Sequence, residues 1–148
     1  MKMIIMQGLP GSGKSFHAKK LADKNTVIVS ADSFPGLYQD GKFQVGLLKK
    51  AHAAAFCEAI HALQRGESVV VDNTNTTLEE VAPYIMLAMA LGADPSILTI
   101  EVDPWKAKDR NTHNVPEATF TRLLAQLVSF RLPDYWANSV PREILRVE

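Results

Sequence analysis

The sequence predicts an α/β fold in which a parallel sheet is flanked by helices on both faces. Five short apolar runs alternate with longer segments of helical period along the 148 residues, and this alternation is typical of βαβ units. A glycine-rich turn joins the first run to the first helix with the spacing G-x-x-x-x-G-K-S, at Gly8, Gly13, Lys14 and Ser15. The length fits one domain over residues 1–148.

The periodicity of the apolar residues and the residues typical of helix ends predict five strands and five helices. The strands are predicted at Met3–Gln7, Val27–Val29, Ser68–Val71, Ile97–Val102 and Glu143–Val147. The helices are predicted at about Ser15–Asp23, Gly46–Leu63, Thr77–Gly92, Trp105–Asn111 and Pro116–Phe130. Thr77 and Glu80 form a capping box at the start of the third helix. The polar stretch Pro35–Lys42 is predicted to be a mobile or substrate-facing loop.

The charges sum to zero, with 16 basic and 16 acidic residues, but they are unevenly placed. Residues 67–103 contain seven acidic and no basic residues, whereas residues 104–131 contain five basic and two acidic ones. The single cysteine, Cys57, excludes an intramolecular disulfide, fits a reducing compartment and is expected to pack in the core. The first apolar run is too short for a membrane span. We therefore expect a soluble, cytoplasmic protein with no membrane partner.

The glycine-rich turn is a candidate phosphate-binding loop. Glycines permit positive φ and a close approach of ligand to backbone, and the amides at a helix start attract anions. Lys14 is expected to reach the β- and γ-phosphates of ATP, and the Ser15 hydroxyl is expected to bind Mg²⁺. The predicted nucleotide-binding residues of the loop are Gly8, Pro10, Gly11, Ser12, Gly13, Lys14 and Ser15.

Polar residues follow the predicted strands at the sheet edge where ligands bind in open parallel sheets. Asp32 is a candidate general base that accepts the proton of an attacking hydroxyl, or else a cap of the next turn. Asp72, after three valines, either holds Mg²⁺ or orients the substrate. Asn73 and Asn75 are candidate substrate contacts, and the alternative is that they belong to a purely structural turn. Tyr38, in the polar loop, is a further candidate contact.

The basic segment after the fourth strand predicts a lid over about residues 104–118. The stretch "WKAKDRNTHNVP" contains Lys106, Lys108, Arg110 and His113. Because phosphoryl transfer concentrates negative charge on the transferred group, we expect Arg110 to stabilise that charge. Arg110 and Asn111 are also expected to contact the nucleotide. No Cys/His cluster has the spacing of a metal centre, so no metal cluster is predicted.

Together these motifs resemble those of the polynucleotide kinase-like P-loop proteins. "GLPGSGKS", "SAD", "VVVDNTNTT" and "RNTHNVP" occur in the order and spacing of that family, which includes phage polynucleotide kinase and relatives attached to eukaryotic ubiquitin-ligase-binding proteins. The resemblance runs from Met3 to about Leu127. It implies a P-loop NTPase fold similar to adenylate kinase, with five parallel strands in the order 2-3-1-4-5 and a short helical lid.

The resemblance also implies an activity, the transfer of the γ-phosphoryl group of ATP to a hydroxyl. Position by position, Lys14 and Ser15 handle phosphate and Mg²⁺, and Asp32 is the general base. Asp72 lies on the acceptor side, and Arg110 is the lid arginine. No phosphatase domain follows, so a role in end healing would be limited to phosphorylation.

The expected acceptor is a nucleic acid, with DNA favoured. It is either a 5′-hydroxyl end or a hydroxymethylated base such as 5-hydroxymethyluracil, the second being a variant that some phage-encoded members of this group resemble. If the chain is phage-encoded, the expected location is the host cytoplasm. One departure concerns this acceptor, because Pro35 stands where the phage enzyme has an acceptor-binding arginine. The neutral charge also fits a kinase for a small metabolite or nucleoside. A third possibility is a non-catalytic ATP-binding switch, for which Asp32 would be dispensable.

Overall fold

The computed structural model describes residues 1–111 and 114–148. In chain order the strands are β1 Lys2–Gln7, β2 Thr26–Val29, β3 Tyr38–Gln39, β4 Lys42–Phe43, β5 Ser68–Asp72, β6 Asp94–Glu101 and β7 Arg142–Arg146. The helices are α1 Lys14–Leu21, α2 Leu48–Gln64, α3 Leu78–Ala90, α4 Pro104–Asp109, α5 Glu117–Ser129 and α6 Asp134–Ala137. Short 3₁₀ turns occupy Ala31–Ser33 and Val45–Leu47.

Five strands form one parallel sheet in the order β2-β5-β1-β6-β7. Counted over these strands alone, the order is 2-3-1-4-5, as the family resemblance implies. The central strand β1 pairs Met6 with Asp72 of β5, and β5 in turn pairs Val71 with Val29 of β2. The carboxyl ends of β1, β2 and β5 therefore lie side by side, at the edge where open parallel sheets bind ligands.

Both faces of the sheet are covered, which is why its strands are almost continuously apolar. On one face Met3 and Ile5 of β1 pack in a cluster with residues of α2 and α3. On the other face Met6 packs with Ala18 of α1. Met3, Ile5 and Met6 are all fully buried. The phosphate loop thus begins from a strand that the core holds on both sides.

The segment predicted as a polar loop contains the hairpin β3–β4. Tyr38 pairs with Phe43, and the two residues at the turn, Asp40 and Gly41, both have positive φ, at 54° and 74°. This is the conformation that two-residue hairpins favour with the dipeptide Asp-Gly. The absence of regular structure in this segment was therefore wrongly predicted, although the Asp-Gly signal was present in the sequence.

The prediction that Cys57 packs in the core is wrong, because Cys57 is exposed on α2. The buried positions of α2 are Ala51, Ala55, Ala59, Ala62 and Leu63. They form a stripe with a spacing of about one helical turn, and Cys57 lies off that stripe.

The predicted cap of α3 is confirmed, because the Glu80 amide donates to the Thr77 hydroxyl over 3.3 Å.

The described part of the chain contains no helix with the length and apolar character needed to cross a bilayer.

Candidate active site

The phosphate loop has the backbone that its glycines predict. Gly11 and Gly13 have φ of 81° and 94°, and Gly13 directly precedes α1. A Cβ atom at Gly11 would lie only 2.0 Å from the carbonyl oxygen of Ala107, so the loop packs directly against α4. Glycine is needed here for two reasons, its positive φ and the close approach of α4.

Lys14 is buried inside the loop, with 9% of its surface exposed. Its Nζ donates a hydrogen bond to the Leu9 carbonyl over 2.8 Å. Burial lowers the pKa of Lys14 to about 8, against the opposing effect of the carboxylates of Asp72 and Asp32. Lys14 thus has an ammonium group in a poorly solvated position, where an anionic ligand would stabilise its charge.

Ser15 and Asp72 form a hydrogen-bonded pair between α1 and β5. The Ser15 hydroxyl donates to Asp72 Oδ2 over 2.7 Å. A hydroxyl and a carboxylate are oxygen ligands of the kind that Mg²⁺ prefers, and Mg²⁺ needs only one or two of them beside phosphate and water. Among residues 1–111 and 114–148, no group of three or more His, Cys, Asp or Glu side chains could hold a metal ion. The pair fits Mg²⁺ bound together with phosphate.

Ser12 tests whether the loop fits a phosphate group. Its hydroxyl is buried and has no hydrogen-bond partner within the described residues. A buried donor without an acceptor is costly, and phosphate oxygens are strong acceptors. The Ser12 hydroxyl, the Lys14 ammonium and the amides at the start of α1 therefore fit the polyphosphate of a nucleotide.

Asp32 and Tyr38 are brought together by the turn after β2 and the hairpin. Asp32 is exposed in the 3₁₀ turn Ala31–Ser33. The Ser30 hydroxyl caps this turn by accepting a hydrogen bond from the Asp32 amide over 3.2 Å. The carboxylate itself is not that cap, and its Oδ1 accepts a hydrogen bond from the Tyr38 hydroxyl over 3.2 Å. Partial burial, with a contribution from Asp32, raises the pKa of Tyr38 to about 12.

The loop after β5 is bonded to the start of the phosphate loop. The Gly8 amide donates to the Thr74 carbonyl over 3.1 Å. Asn75 is 1% exposed and has a φ of 49°. Its Nδ2 donates to the Met6 carbonyl over 2.7 Å, and its own carbonyl accepts from Gln7 Nε2 over 2.9 Å. The Asn75 side chain is thus used in fixing the loop to β1.

Asn73 links the same loop to the segment that carries Asp32. Its Oδ1 accepts a hydrogen bond from the Ala31 amide over 2.9 Å. Its Nδ2 is buried and has no partner within the described residues. Asn73 therefore holds the turn of Asp32 with one end of its amide and leaves a donor available at the other.

A polar network beneath the site involves residues that the sequence motifs did not single out. Gln7 Oε1 accepts hydrogen bonds from the Thr99 hydroxyl over 2.7 Å and from Arg142 Nη2 over 2.9 Å. The Arg142 guanidinium lies 5.0 Å from the centroid of the Phe130 ring, and burial lowers its pKa. The available signal was the fully buried amide of Gln7 at the end of an apolar strand. The network fixes Gln7 and, through it, the Asn75 carbonyl.

The lid residues lie beside the phosphate loop. The Asn111 amide would be 3.0 Å from a Cβ atom at Gly11, so the segment after α4 adjoins the loop. Arg110 is exposed, and its Nη2 donates to the carbonyl oxygen of Glu148 over 3.4 Å. His113 lies outside the described residues. The structure brings Asn111 close to the loop, while the Arg110 side chain contacts the carboxyl-terminal segment.

A cavity of about 710 Å³ lies between the β6–β7 part of the sheet and α5. Its walls include Val102, Leu127 and Ile144, and it meets the phosphate loop at Leu9. Its lining includes none of the residues predicted to bind nucleotide or substrate. The candidate site is therefore the cleft around Lys14, Asp32 and Asp72, not this cavity.

Comparisons with known proteins agree with the fold and the motifs. Residues 3–133 match the family described as an AAA domain. The chain is 34% identical over 156 residues to human NEDD4-binding protein 2, covering 99% of this chain and 9% of that protein. It is 30% identical over 145 residues to a bifunctional polynucleotide phosphatase/kinase of Acanthamoeba polyphaga mimivirus, covering 93% of this chain and 31% of that protein. The chain thus spans less than a third of either relative.

A solved structure has the same fold. Chaetomium thermophilum Kti12, in complex with ADP-AlF3, superposes with a TM-score of 0.74 at 16% identity, covering 99% of this chain and 89% of that one. At this identity the likeness concerns the fold alone. It is a fold that, in Kti12, carries a nucleotide.

The pKa of Lys14 predicts how nucleotide affinity changes with pH. Binding of phosphate requires the charged ammonium, whose pKa in the free protein is about 8, below the usual 10.5. ATP affinity should change little between neutral pH and pH 8 and fall above pH 8, by up to about tenfold per pH unit, because a proton must then be taken up on binding. Calorimetric titration on both sides of pH 8 measures this. Lys14→Met should bind more weakly and lack this dependence, and equal wild-type affinities across the range would contradict the role of Lys14.

A matched pair of glycine substitutions tests the packing of the loop against α4. Gly11→Ala and Gly41→Ala both place a side chain at positive φ, which costs about 1–2 kcal/mol. Only Gly11 has backbone in the way, since nothing lies within 4 Å of a Cβ at Gly41. Gly11→Ala should therefore lower the free energy of unfolding further and weaken nucleotide binding, as measured by denaturant titration and calorimetry. Equal losses in the two variants would contradict this packing.

Proposed function

The chain belongs to the AAA-domain family of P-loop proteins, and on that premise we propose that it is an ATP-dependent kinase that phosphorylates a hydroxyl of a nucleic acid. The proposal rests on how Lys14, Asp72 and Asp32 are grouped. Ser15, which follows Lys14, donates to Asp72 over 2.7 Å, and Asn73, which follows Asp72, accepts from the Ala31 amide beside Asp32 over 2.9 Å. The carboxylates of Asp72 and Asp32 act to raise the pKa of Lys14, against the larger effect of burial. A phosphoryl group bound at Lys14 is thereby near a metal-binding pair and near a base, which are the parts that transfer to an alcohol requires.

Each residue of the cleft has one role in this proposal. Lys14, the Ser12 hydroxyl and the loop amides bind the phosphates of ATP. Ser15 and Asp72 hold Mg²⁺, which would neutralise charge on the phosphate oxygens. Asp32 accepts the proton of the acceptor hydroxyl as that oxygen attacks the γ-phosphorus. Asp32 is suited to this role because it already accepts a hydrogen bond from a hydroxyl, that of Tyr38.

We propose that residues of the lid and of the loop after β5 assist this reaction. Arg110 directly follows α4, which packs on Gly11, so a shift of α4 over bound nucleotide would move Arg110 relative to the transferred group. Asn111 is close enough to the phosphate loop to contact the nucleotide. Asn73 positions the turn of Asp32, and its unpaired Nδ2 is a donor for phosphate or acceptor.

Side chains near Asp32 favour a nucleic acid as the acceptor. The Tyr38 ring contacts the ring of Phe43, with 5.5 Å between their centroids, and Phe43 is 43% exposed. Lys42 is exposed on the same strand, and exposed Lys49 and Lys50 begin α2, on which the hairpin segment rests. Exposed aromatic rings stack on bases and lysines bind backbone phosphates. The mimivirus relative is named as a polynucleotide phosphatase/kinase, which agrees with this choice.

We propose DNA as the acceptor, at a 5′-hydroxyl end or at a hydroxymethylated base. Pro35 offers no charge to an acceptor phosphate, and we propose that the exposed lysines of the hairpin and α2 supply positive charge in place of an arginine at that position. A 5-hydroxymethyl group would present a primary alcohol to Asp32 while its base stacks on Phe43. Either acceptor supplies a hydroxyl beside a planar base.

The test is transfer of γ-labelled phosphate from ATP to a panel of acceptors. The panel contains 5′-hydroxyl DNA, 5′-hydroxyl RNA, DNA with 5-hydroxymethyluracil, and free nucleosides. We expect label in one nucleic acid. Asp32→Asn should cut transfer by on the order of 10² or more, because the base is lost, and leave ATP affinity largely intact. Asp134→Asn, an exposed carboxylate at the start of α6, is the matched control and should transfer normally.

Each other result favours a different function. Label only in nucleosides would indicate a small-molecule kinase, and transfer should then respond little to salt, unlike transfer to a polyanion. Label in water or in nothing would indicate an ATP-binding switch. Full transfer by Asp32→Asn would remove Asp32 as the base.

A further inference from the structure

Two hydroxyl groups in the cleft donate hydrogen bonds to carboxylates. Ser15 donates to Asp72 over 2.7 Å, and Tyr38 donates to Asp32 over 3.2 Å. The first pair is accounted for by the Mg²⁺ site. The second pair is not needed for nucleotide binding, and it places a protein hydroxyl against the carboxylate that we propose as the base.

The position of the Tyr38 hydroxyl is fixed by the fold of the hairpin. Tyr38 pairs with Phe43 across the two strands, and their rings are in contact. The preceding residue, Leu37, is fully buried, and its carbonyl accepts a hydrogen bond from the Gln44 amide over 2.7 Å. Both ends of the hairpin are thereby anchored beside Asp32. This packing holds the phenol within hydrogen-bond distance of the carboxylate.

A hydroxyl that donates to the general base has the contact required of a phosphoryl acceptor. The acceptor oxygen must also reach the γ-phosphoryl group. The turn of Asp32 is bonded to Asn73, and the preceding residue Asp72 accepts a hydrogen bond from Ser15. Ser15 directly follows Lys14, the proposed ligand of that group. Tyr38 therefore meets the first requirement directly, through its hydrogen bond to Asp32. The contacts from Asp32 to the phosphate loop support the second requirement, which the experiment below tests.

We propose that Tyr38 is an internal acceptor, phosphorylated within its own chain when no external acceptor occupies the cleft; this rests on the proposed kinase function. In the step, Tyr38 Oη forms a bond to the γ-phosphorus of ATP while the bond to the β,γ-bridging oxygen breaks. The phenolic proton passes to Asp32, and the products are ADP and phosphotyrosine. The reaction needs no other reactant.

The chemistry of the phenol makes this step depend on Asp32. With a pKa raised to about 12, the Tyr38 hydroxyl keeps its proton at neutral pH, so a base must remove that proton during transfer. The phosphotyrosine formed carries a charge of about −1.5 to −2 at pH 7 beside the Asp32 carboxylate. That charge and bulk would keep an external acceptor from the base. Self-phosphorylation would thus switch the enzyme off when acceptor is scarce.

The chain has two other tyrosines, which provide controls. Tyr84 is 5% exposed and packs in the main core, and Tyr135 is 74% exposed on α6. Tyr135 is the more accessible to any contaminating kinase, while Tyr38 has the contact with Asp32. Labelling of Tyr38 and not Tyr135 would therefore distinguish the proposed reaction from phosphorylation by another enzyme.

The experiment incubates the full chain with Mg²⁺ and γ-labelled ATP in the absence of acceptor. We expect one phosphoryl group per chain, mapped to Tyr38 by peptide mass spectrometry, at a rate constant that does not change with protein concentration. Tyr38→Phe, which keeps the ring but removes the hydroxyl, should lose the label, as should Asp32→Asn. Tyr135→Phe should keep it. Thermal unfolding of each variant checks that it is folded, and added acceptor should slow the labelling.

The outcomes separate this inference from the proposed function. Transfer to an external acceptor with no label on Tyr38 would overturn the inference and leave the kinase function standing. Label on Tyr38 with no accepted nucleic acid would support the inference and reject the proposed acceptor. Label that persists in Tyr38→Phe, or a rate constant that rises with protein concentration, would overturn transfer within the chain. Absence of transfer to any acceptor and to Tyr38 would reject both.

Discussion

The loop after β5 holds the carboxyl ends of three neighbouring strands together, and the whole site depends on it. It is bonded to the phosphate loop at Gly8, to β1 through the side chain of Asn75, and to the turn of Asp32 through Asn73. The loop directly follows Asp72, the last residue of β5 and the partner of Ser15. Because buried hydrogen bonds of this kind are costly to leave unmade, the phosphate loop, the proposed metal-binding pair and the proposed base keep one mutual arrangement.

The parts of the fold and site that could be predicted are those with local signals. The strand–loop–helix of the phosphate site follows from the spacing of Gly8, Gly13 and Lys14, and Asp72 follows from its place after a buried strand. The cap at Thr77 is also a local contact, because its partner Glu80 is only three residues away in the sequence. The strand order came from the family resemblance, because no residue pattern within one strand specifies its neighbours in a parallel sheet.

The parts that could not be predicted depend on contacts between distant residues. Asn73 and Asn75 look equivalent in the sequence, yet burial and a positive φ give Asn75 a role in holding the backbone. The bond from Arg142 to Gln7 spans 135 positions. The hydroxyl of Tyr38 reaches Asp32 because an Asp-Gly turn folds the segment into a hairpin, which sequence polarity had suggested to be an irregular loop.

The proposed function requires that the phosphate loop and Asp32 act on the same phosphoryl group. A crystal structure with Mg²⁺ and a non-hydrolysable ATP analogue would show whether they do. The γ-phosphate should contact Lys14 Nζ, released from the Leu9 carbonyl, and the metal should contact Ser15, with the Asp32 carboxylate facing the γ-phosphorus from the side opposite the leaving oxygen. A bound analogue whose γ-phosphate faces away from Asp32 would contradict the proposed function.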